Sequence, residues 1–207
     1  KRAGALRAKD VDQRIDAFCA AQRARARVTD AGMRNGLIRA FHNRSYDPAK
    51  AVTTVVMRNE DFGRLWRLME DGKAAELELD IRNTLHPAST RGYNVVAELT
   101  GTERPEEAVL LGAHLDSWHT ATGATDDGAS CAVMMEALRI LKRVGAAPRR
   151  TVRMVLFDAE EQGLLGSQAY VKAHYGSDAE PDADFGRLIA YVNMDAGAGQ
   201  LRGLSVF

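Results

Sequence analysis

"GAHLDSWHTATGATDDGAS", residues 112–130, holds two histidines and three aspartates among small residues and glycines. It lies where an apolar run, "EAVLLGAHLD", stops and a helical pattern begins. From residue 130 to 144, Val133, Ala137, Ile140, Leu141 and Val144 recur on one side, with Gly145 as the stop. A strand that ends in acid and imidazole and then enters a helix predicts a βα unit with its polar residues at the strand's carboxyl end.

The same rhythm continues on both sides. Upstream, "YNVVAELTG" is strand-like and joins "EAVLLGAHLD" through the turn "TERPE". Downstream, "TVRMVLFDAEE" is rich in β-branched residues and "GLLGSQAYVKAHYG" is helical. An acidic loop, "SDAEPDADFG", then precedes another strand, "RLIAYVNMDAGAG". Alternating buried strands and helices predict an α/β fold, a mostly parallel sheet flanked by helices. Residues 1–86 differ. They predict a helix over 11–31, strands at "GLIRAF" (36–41), "VTTVVM" (52–57) and "AELELDI" (75–81), and a loop at "HNRSYDPAK". A further helix, "EDFGRLWRLMED", is capped by Asn59, with Phe62, Leu65, Trp66 and Met69 on one face. The boundary falls at "HPASTRG", giving segments 1–86 and 87–207.

Composition narrows the function. The 207 residues balance 28 Lys and Arg against 28 Asp and Glu, so net charge gives no case for nucleic acid or a membrane surface. No apolar run is long enough to cross a bilayer. The "RARAR" run at 23–27 reads as a solvated helix face. Cys19 and Cys131 fit neither a disulfide framework nor a thiolate zinc pattern, and Cys131 reads as a small core residue. The chain opens at Lys1, and "LSVF" at its end reads as an unfinished strand, so a fragment is expected.

The polar residues decide the chemistry. His114 closes one strand, Glu160 and Glu161 the next, Asp195 the third, and Asp126 lies in the loop after the first. The carboxyl ends of parallel strands form the crevice where such sheets bind ligands. "DDG" alone is usually a turn, and "EEQG" alone a helix start where acids suit the helix dipole. Brought together without a cation, these carboxylates would repel one another and bind protons more tightly. One imidazole and several carboxylates suit two divalent ions, zinc or else manganese or cobalt. Of the adjacent Glu160 and Glu161, one can ligate while the other takes a proton from water. Asp116 stands where its carboxylate could accept the second ring N–H of His114. His119 reads as a solvated loop residue, and His174 as a cation near a helix C-terminus.

"GAHLDSW", "TGATDDGAS", "EEQGLLGS" and "NMDAG", over residues 92–200, resemble in order and spacing the dizinc exopeptidase family of secreted bacterial aminopeptidases and plasma glutamate carboxypeptidase. The resemblance implies a phosphorylase/hydrolase-like zinc exopeptidase sandwich acting on peptides, secreted or periplasmic. It implies that Asp126 bridges two zincs, that His114 and Asp195 complete one and Glu161 holds the other, and that Glu160 is the general acid/base. It also implies a cis Asp126–Asp127 bond. Ala129 and Ser130 depart from the family's usual Ser/Gly-Gly. The family's last ligand, a histidine well beyond Asp195, is not among the residues up to Phe207, so 1–207 alone is expected to be inactive. Residues 1–86 more loosely resemble part of a protease-associated, lid-like α+β insert. Two other readings stay open: a glutaminyl cyclase-like transferase with one zinc, and a binding ectodomain that kept the fold without metal, as in transferrin receptor-like relatives.

Overall fold

The computed structural model describes residues 7–38, 40, 52–84, 86, 91–177, 179–195, 197, 199, 200, 202, 203, 205 and 206. The chain divides into two compact units, Lys1–Leu85 and His86–Phe207.

In the first unit, helix α1 spans Ala8–Ala21 and strand β1 spans Arg27–Asp30. The expected helix over 11–31 therefore stops early. Its Arg-rich continuation is a turn followed by a strand, which pairs in parallel with β2 (Thr54–Met57). The reason lies in Arg27, whose guanidinium, 13% exposed, reaches back to Asp12 at 2.7 Å and Asp16 at 3.0 Å on α1. The run "RARAR" is thus no solvated helix face. β-branched Val28 and Thr29 then favour the strand.

Helix α2 spans Asn59–Glu70, with Asn59 as its first residue rather than its cap. Phe62 and Leu65 are half-buried, while Trp66 and Met69 are 55% and 60% exposed, so the expected apolar face is only partly covered. "AELELDI" forms no strand and is exposed, because no neighbouring strand pairs with it among the described residues. Residues 36–38 and 40 form no strand either, and the loop over 42–50 lies outside the described residues.

The second unit is a four-stranded sheet in the order β3-β5-β4-β6. Its strands are β3 (Val95–Leu99), β4 (Arg104–His114), β5 (Arg150–Phe157) and β6 (Leu188–Asn193). β4 runs parallel to β5 and β6, and β3 runs antiparallel to β5, which makes a mixed, mostly parallel sheet. Residues 87–90 of the boundary stretch lie outside the described residues, as do Leu204 and Phe207; Ser205 and Val206 join no strand.

Helices α3 (Ala129–Arg143) and α4 (Leu165–His174) complete the unit, and the acidic loop carries a short 3-10 turn, Ala183–Arg187. Alternation along β5 divides the core. Val155 and Phe157 pack with Leu110 and with Tyr170 and Tyr175 of the α4 segment. Met154 and Leu156 pack with Ala113 and with Cys131 and Met134 of α3. Both faces of the central strands are therefore covered, as parallel sheets require. Register then fixes where the strands end: His114 lies beside Phe157, and Gly112 beside Asn193.

Candidate metal centre

Three parallel strands end abreast, so the residues after them share one edge. Leu115 extends the ladder by donating its N–H to Phe157 at 2.7 Å, and Met194 does the same to Gly112 at 3.1 Å. Beyond these bonds come Asp116 after β4, Glu160 and Glu161 after β5, and Asp195 after β6. Asp126 and Asp127 reach the same place from the wide turn Ala124–Gly128, just before α3. Gly123 enters that turn at φ 68°, in the left-handed region, and accepts the Gly128 N–H at 2.7 Å. The Asp126–Asp127 peptide bond is cis.

The His114 ring, 3% exposed, sits at the centre of these acids. Its Nε2 is 3.1 Å from Asp126 Oδ1, 3.4 Å from Asp195 Oδ1 and 4.0 Å from Glu160 Oε2. Donor atoms of His114, Asp127 and Asp195 lie within 4.8 Å of one another, and so do those of His114, Glu160 and Glu161. Among the described residues, no lysine or arginine forms an ion pair with these acids.

The charge state follows from this crowding. Burial pushes the Glu160, Glu161 and Asp195 carboxyls up, and neighbouring carboxylates push them further, against the opposing pull of His114. For His114, burial works against the imidazolium, but Asp127, Asp195, Glu160 and Asp116 outweigh it and the ring's pKa rises. Tyr191 is pushed up to about 12 by burial and by Asp195. A divalent cation would replace the protons that otherwise relieve this repulsion.

Of the six residues named from the sequence, His114, Asp126, Glu160, Glu161 and Asp195 lie around one point at the sheet edge. Asp116 comes with a correction. His114 Nδ1 hydrogen-bonds to the backbone carbonyl of Asp116 at 3.1 Å, while the Asp116 carboxylate stays 3.6 Å from that nitrogen. The carboxylate instead accepts the backbone N–H groups of Glu160 (2.8 Å) and Glu161 (3.0 Å).

Asp127 is the residue that sequence reasoning missed. It is 1% exposed, its Oδ2 accepts the His114 N–H at 3.0 Å, and its Oδ1 has no hydrogen-bond partner. A buried carboxylate oxygen left unpaired beside other donor atoms fits a cation. His119 is exposed. His174 is exposed too and stacks on Tyr170 with ring centroids 4.3 Å apart.

The pattern of peptidase family M28 matches residues 94–206. Carboxypeptidase Q of Mus musculus is 38% identical over 128 residues, which cover 62% of this chain and 27% of that protein. The chain thus spans about a quarter of that relative's length. A peptidase M28 precursor from Shewanella amazonensis superposes with a TM-score of 0.56 at 34% identity, covering 79% of this chain and 34% of that one. The zinc aminopeptidase BSAP of Bacillus subtilis superposes with a TM-score of 0.54 over 92% of this chain and 41% of that one. At 22% identity, that last likeness is one of fold.

Proposed function

The chain belongs to peptidase family M28, and from that premise we propose that it is the site-bearing part of a zinc exopeptidase that removes terminal residues from peptides. The observation that carries the reading is the convergence on His114 Nε2 of carboxylates from three separate segments, at 3.1, 3.4 and 4.0 Å. The zinc named for the Bacillus subtilis relative and the carboxypeptidase activity named for the Mus musculus relative support it. The chain covers only part of those proteins, so the activity proposed is that of the intact protein.

Two zinc ions are proposed, held by His114, Asp126 and Asp195 on one side and by Asp126 and Glu161 on the other. Asp127, whose Oδ2 accepts the backbone N–H of His114, stands behind that residue. When bound, the metal would supply Lewis acidity toward the peptide carbonyl and make a water molecule acidic enough to attack at neutral pH. The chain's own residues do the rest. His114 Nδ1–H donates to the Asp116 carbonyl, which leaves the Nε2 lone pair facing the carboxylates. Glu160, its carboxyl pushed up by burial, takes the proton of the attacking water and returns it to the leaving nitrogen. Residues 1–86 as a partial lid-like protease-associated segment, and a secreted or periplasmic setting, belong to the same reading. Among the described residues no helix is long and apolar enough to cross a membrane.

The test is an assay of the intact protein on aminoacyl and dipeptide substrates, with metal content measured in parallel. Chelation should abolish turnover and zinc should restore it. Turnover that survives complete metal removal would refute the proposal.

A further inference from the structure

At the end of the sheet away from the candidate metal centre, β4 loses register with both of its neighbours. Arg104 lies beside Arg150 and Ala108 beside Thr151, so residues 105–107 bulge against β5. On the other side Ala108 lies beside Leu188 and Val109 beside Ala190. The bulge is pinned: the Thr151 hydroxyl donates to the Pro105 carbonyl at 2.8 Å and accepts the Gly101 N–H at 3.0 Å. A bulge re-aims the side chains it carries. Here it brings Glu106 to a cavity of about 60 Å³ that is also lined by Ala108, Arg153, Tyr175, Asp184 and Arg187. Ala108 precedes His114 by six residues on β4, about 20 Å along the strand.

The charges around this cavity are divided. Arg153 donates from Nε to Glu98 at 2.8 Å and from Nη1 to the Tyr170 hydroxyl at 3.4 Å, and Arg187 donates from Nη1 to Asp184 at 2.5 Å. A guanidinium carries five N–H donors in a fork, so both arginines keep donors for a further carboxylate. Glu106 is different. Arg104 and Arg150 both pair with Glu107, and Glu106 forms no ion pair among the described residues. Tyr175 is 5% exposed, its hydroxyl has no hydrogen-bond partner, and burial pushes its phenol up, so it keeps its proton at neutral pH.

We propose that this cavity binds a free α-amino acid, its carboxylate taken by Arg153 and Arg187 and its ammonium by Glu106. A simple anion would face Glu106 and Asp184 as like charges, and a simple cation would face two guanidiniums. A zwitterion complements both. Size agrees: at about 10–15 Å³ for each water-sized group the cavity takes about four to six of them, and the amino acid's nitrogen, α-carbon and carboxylate make up five. Glu106, Asp184 and Arg187 are exposed, so the cavity opens to solvent and leaves the side chain of the ligand outside. A free amino acid is also what an exopeptidase releases. That the ligand is the protein's own product rests on the proposed function, whereas its recognition here does not.

The test titrates the 15N-labelled 207-residue chain with glycine, in chelator so that no metal holds the ligand. The Nε–H signals of Arg153 and Arg187 and the amide of Glu106 should shift together and saturate, while the amides of Glu160 and Glu161 stay in place. Glycinamide, which lacks the carboxylate, and N-acetylglycine, which lacks the ammonium, should each bind about 10–100-fold more weakly, the worth of a hydrogen bond to a charged group. Glu106→Gln, at an exposed position, should lose glycine affinity by a similar factor. Absence of a saturable shift, shifts confined to the Glu160 and Glu161 amides, or analogues that bind as tightly as glycine would each overturn the proposal. So would a folded Glu106→Gln chain with unchanged affinity; should that variant not fold, the two analogues decide. If glycine binds here while the intact protein hydrolyses no peptide, this site stands and the proposed function fails.

Discussion

Asp127 is 1% exposed and its carboxylate accepts the backbone N–H of His114 at 3.0 Å, so the residue at the centre of the site is fixed from behind by the turn that precedes α3. Removing this acceptor leaves a buried N–H with nothing to bond. Asp127→Ala should therefore lose about 1–3 kcal/mol of stability, the usual cost of such an unpaired donor. Asp127→Asn, which keeps one acceptor oxygen, should lose less. Urea denaturation of both variants in the presence of chelator measures the difference. An Asp127→Ala protein as stable as wild type would mean that water replaces the lost oxygen.

The crowded acids make a prediction about pH. Glu160, Glu161 and Asp195 hold their protons more tightly in the folded chain than at their ordinary values of 4.5, 4.5 and 3.8, and His114 more tightly than at 6.5. A raised folded pKa contributes stability that is complete below the unfolded value and is lost as pH climbs through the folded one. All four groups act in the same direction. With chelator present, the melting temperature should be higher near pH 5 than at pH 8. The exposed pairs Arg139–Glu136 and Arg58–Asp61 hold their carboxylates below the ordinary range, so they stay ionised across this window and do not mask the trend. Zinc should reverse it, with a stabilisation that grows toward pH 8 as the donors deprotonate. Melts that rise toward pH 8 under chelation would contradict this account.

Gly166 opens the close approach between the Glu160–Glu161 turn and α4. A Cβ there would lie 2.2 Å from the Asp158 carbonyl oxygen and 2.5 Å from Asn94 Oδ1. Asn94 cannot yield without loss, because its Nδ2 donates to the Gly166 carbonyl at 2.9 Å and its Oδ1 accepts the Asp158 N–H. Gly166→Ala should therefore cost about 1–3 kcal/mol, as overpacking does, and weaken zinc binding too. Calorimetric melts and zinc titration of the variant check both.

How much of this was legible in the sequence depends on what each feature rests on. β4, β5, α3 and α4 announce themselves because their apolar residues must cover two faces of one sheet, and that demand is written in local spacing. Strand ends follow from the same pattern, so His114, Glu160, Glu161 and Asp195 could be placed on one edge. The first unit was harder. The reach of Arg27 back to Asp12 and Asp16 is tertiary, and helical spacing alone carried the expected helix past Ala21. Asp126 and Asp127 are the same residue type side by side, and only the path of the turn decides which one is buried. The two-residue spacing from His114 to Asp116 suggested a ring partner. The loop instead carries that carboxylate to amides 44 and 45 residues further along the chain.

Cys131 offers a probe of the site from its apolar side. Its thiol is 7% exposed, donates to the His114 carbonyl at 2.9 Å, and is pushed up by burial and by Asp127. Thiolate is the reactive form, so Cys131 should resist thiol reagents in the native chain, while half-buried Cys19 reacts first. A thiol count in native buffer and again in denaturant should give one fast site and then two. Rapid reaction of both under native conditions would show that the packing of α3 against β4 opens readily.

Glu160 separates proton transfer from metal holding. Its Oε2 is 4.0 Å from His114 Nε2, farther than the oxygens of Asp126 and Asp195, and its side chain is 27% exposed while Glu161 is buried at 8%. Glu160→Gln keeps the size and hydrogen-bonding reach of the side chain but cannot take a proton. In the intact protein, turnover should fall by about 10²–10⁴, the usual contribution of a positioned general base, with zinc content near wild type. Glu161→Gln should do the reverse and release metal. The two variants, compared by elemental analysis and by rate, therefore assign the adjacent acids. If Glu160→Gln loses its zinc and Glu161→Gln keeps it, the roles of the two glutamates are exchanged.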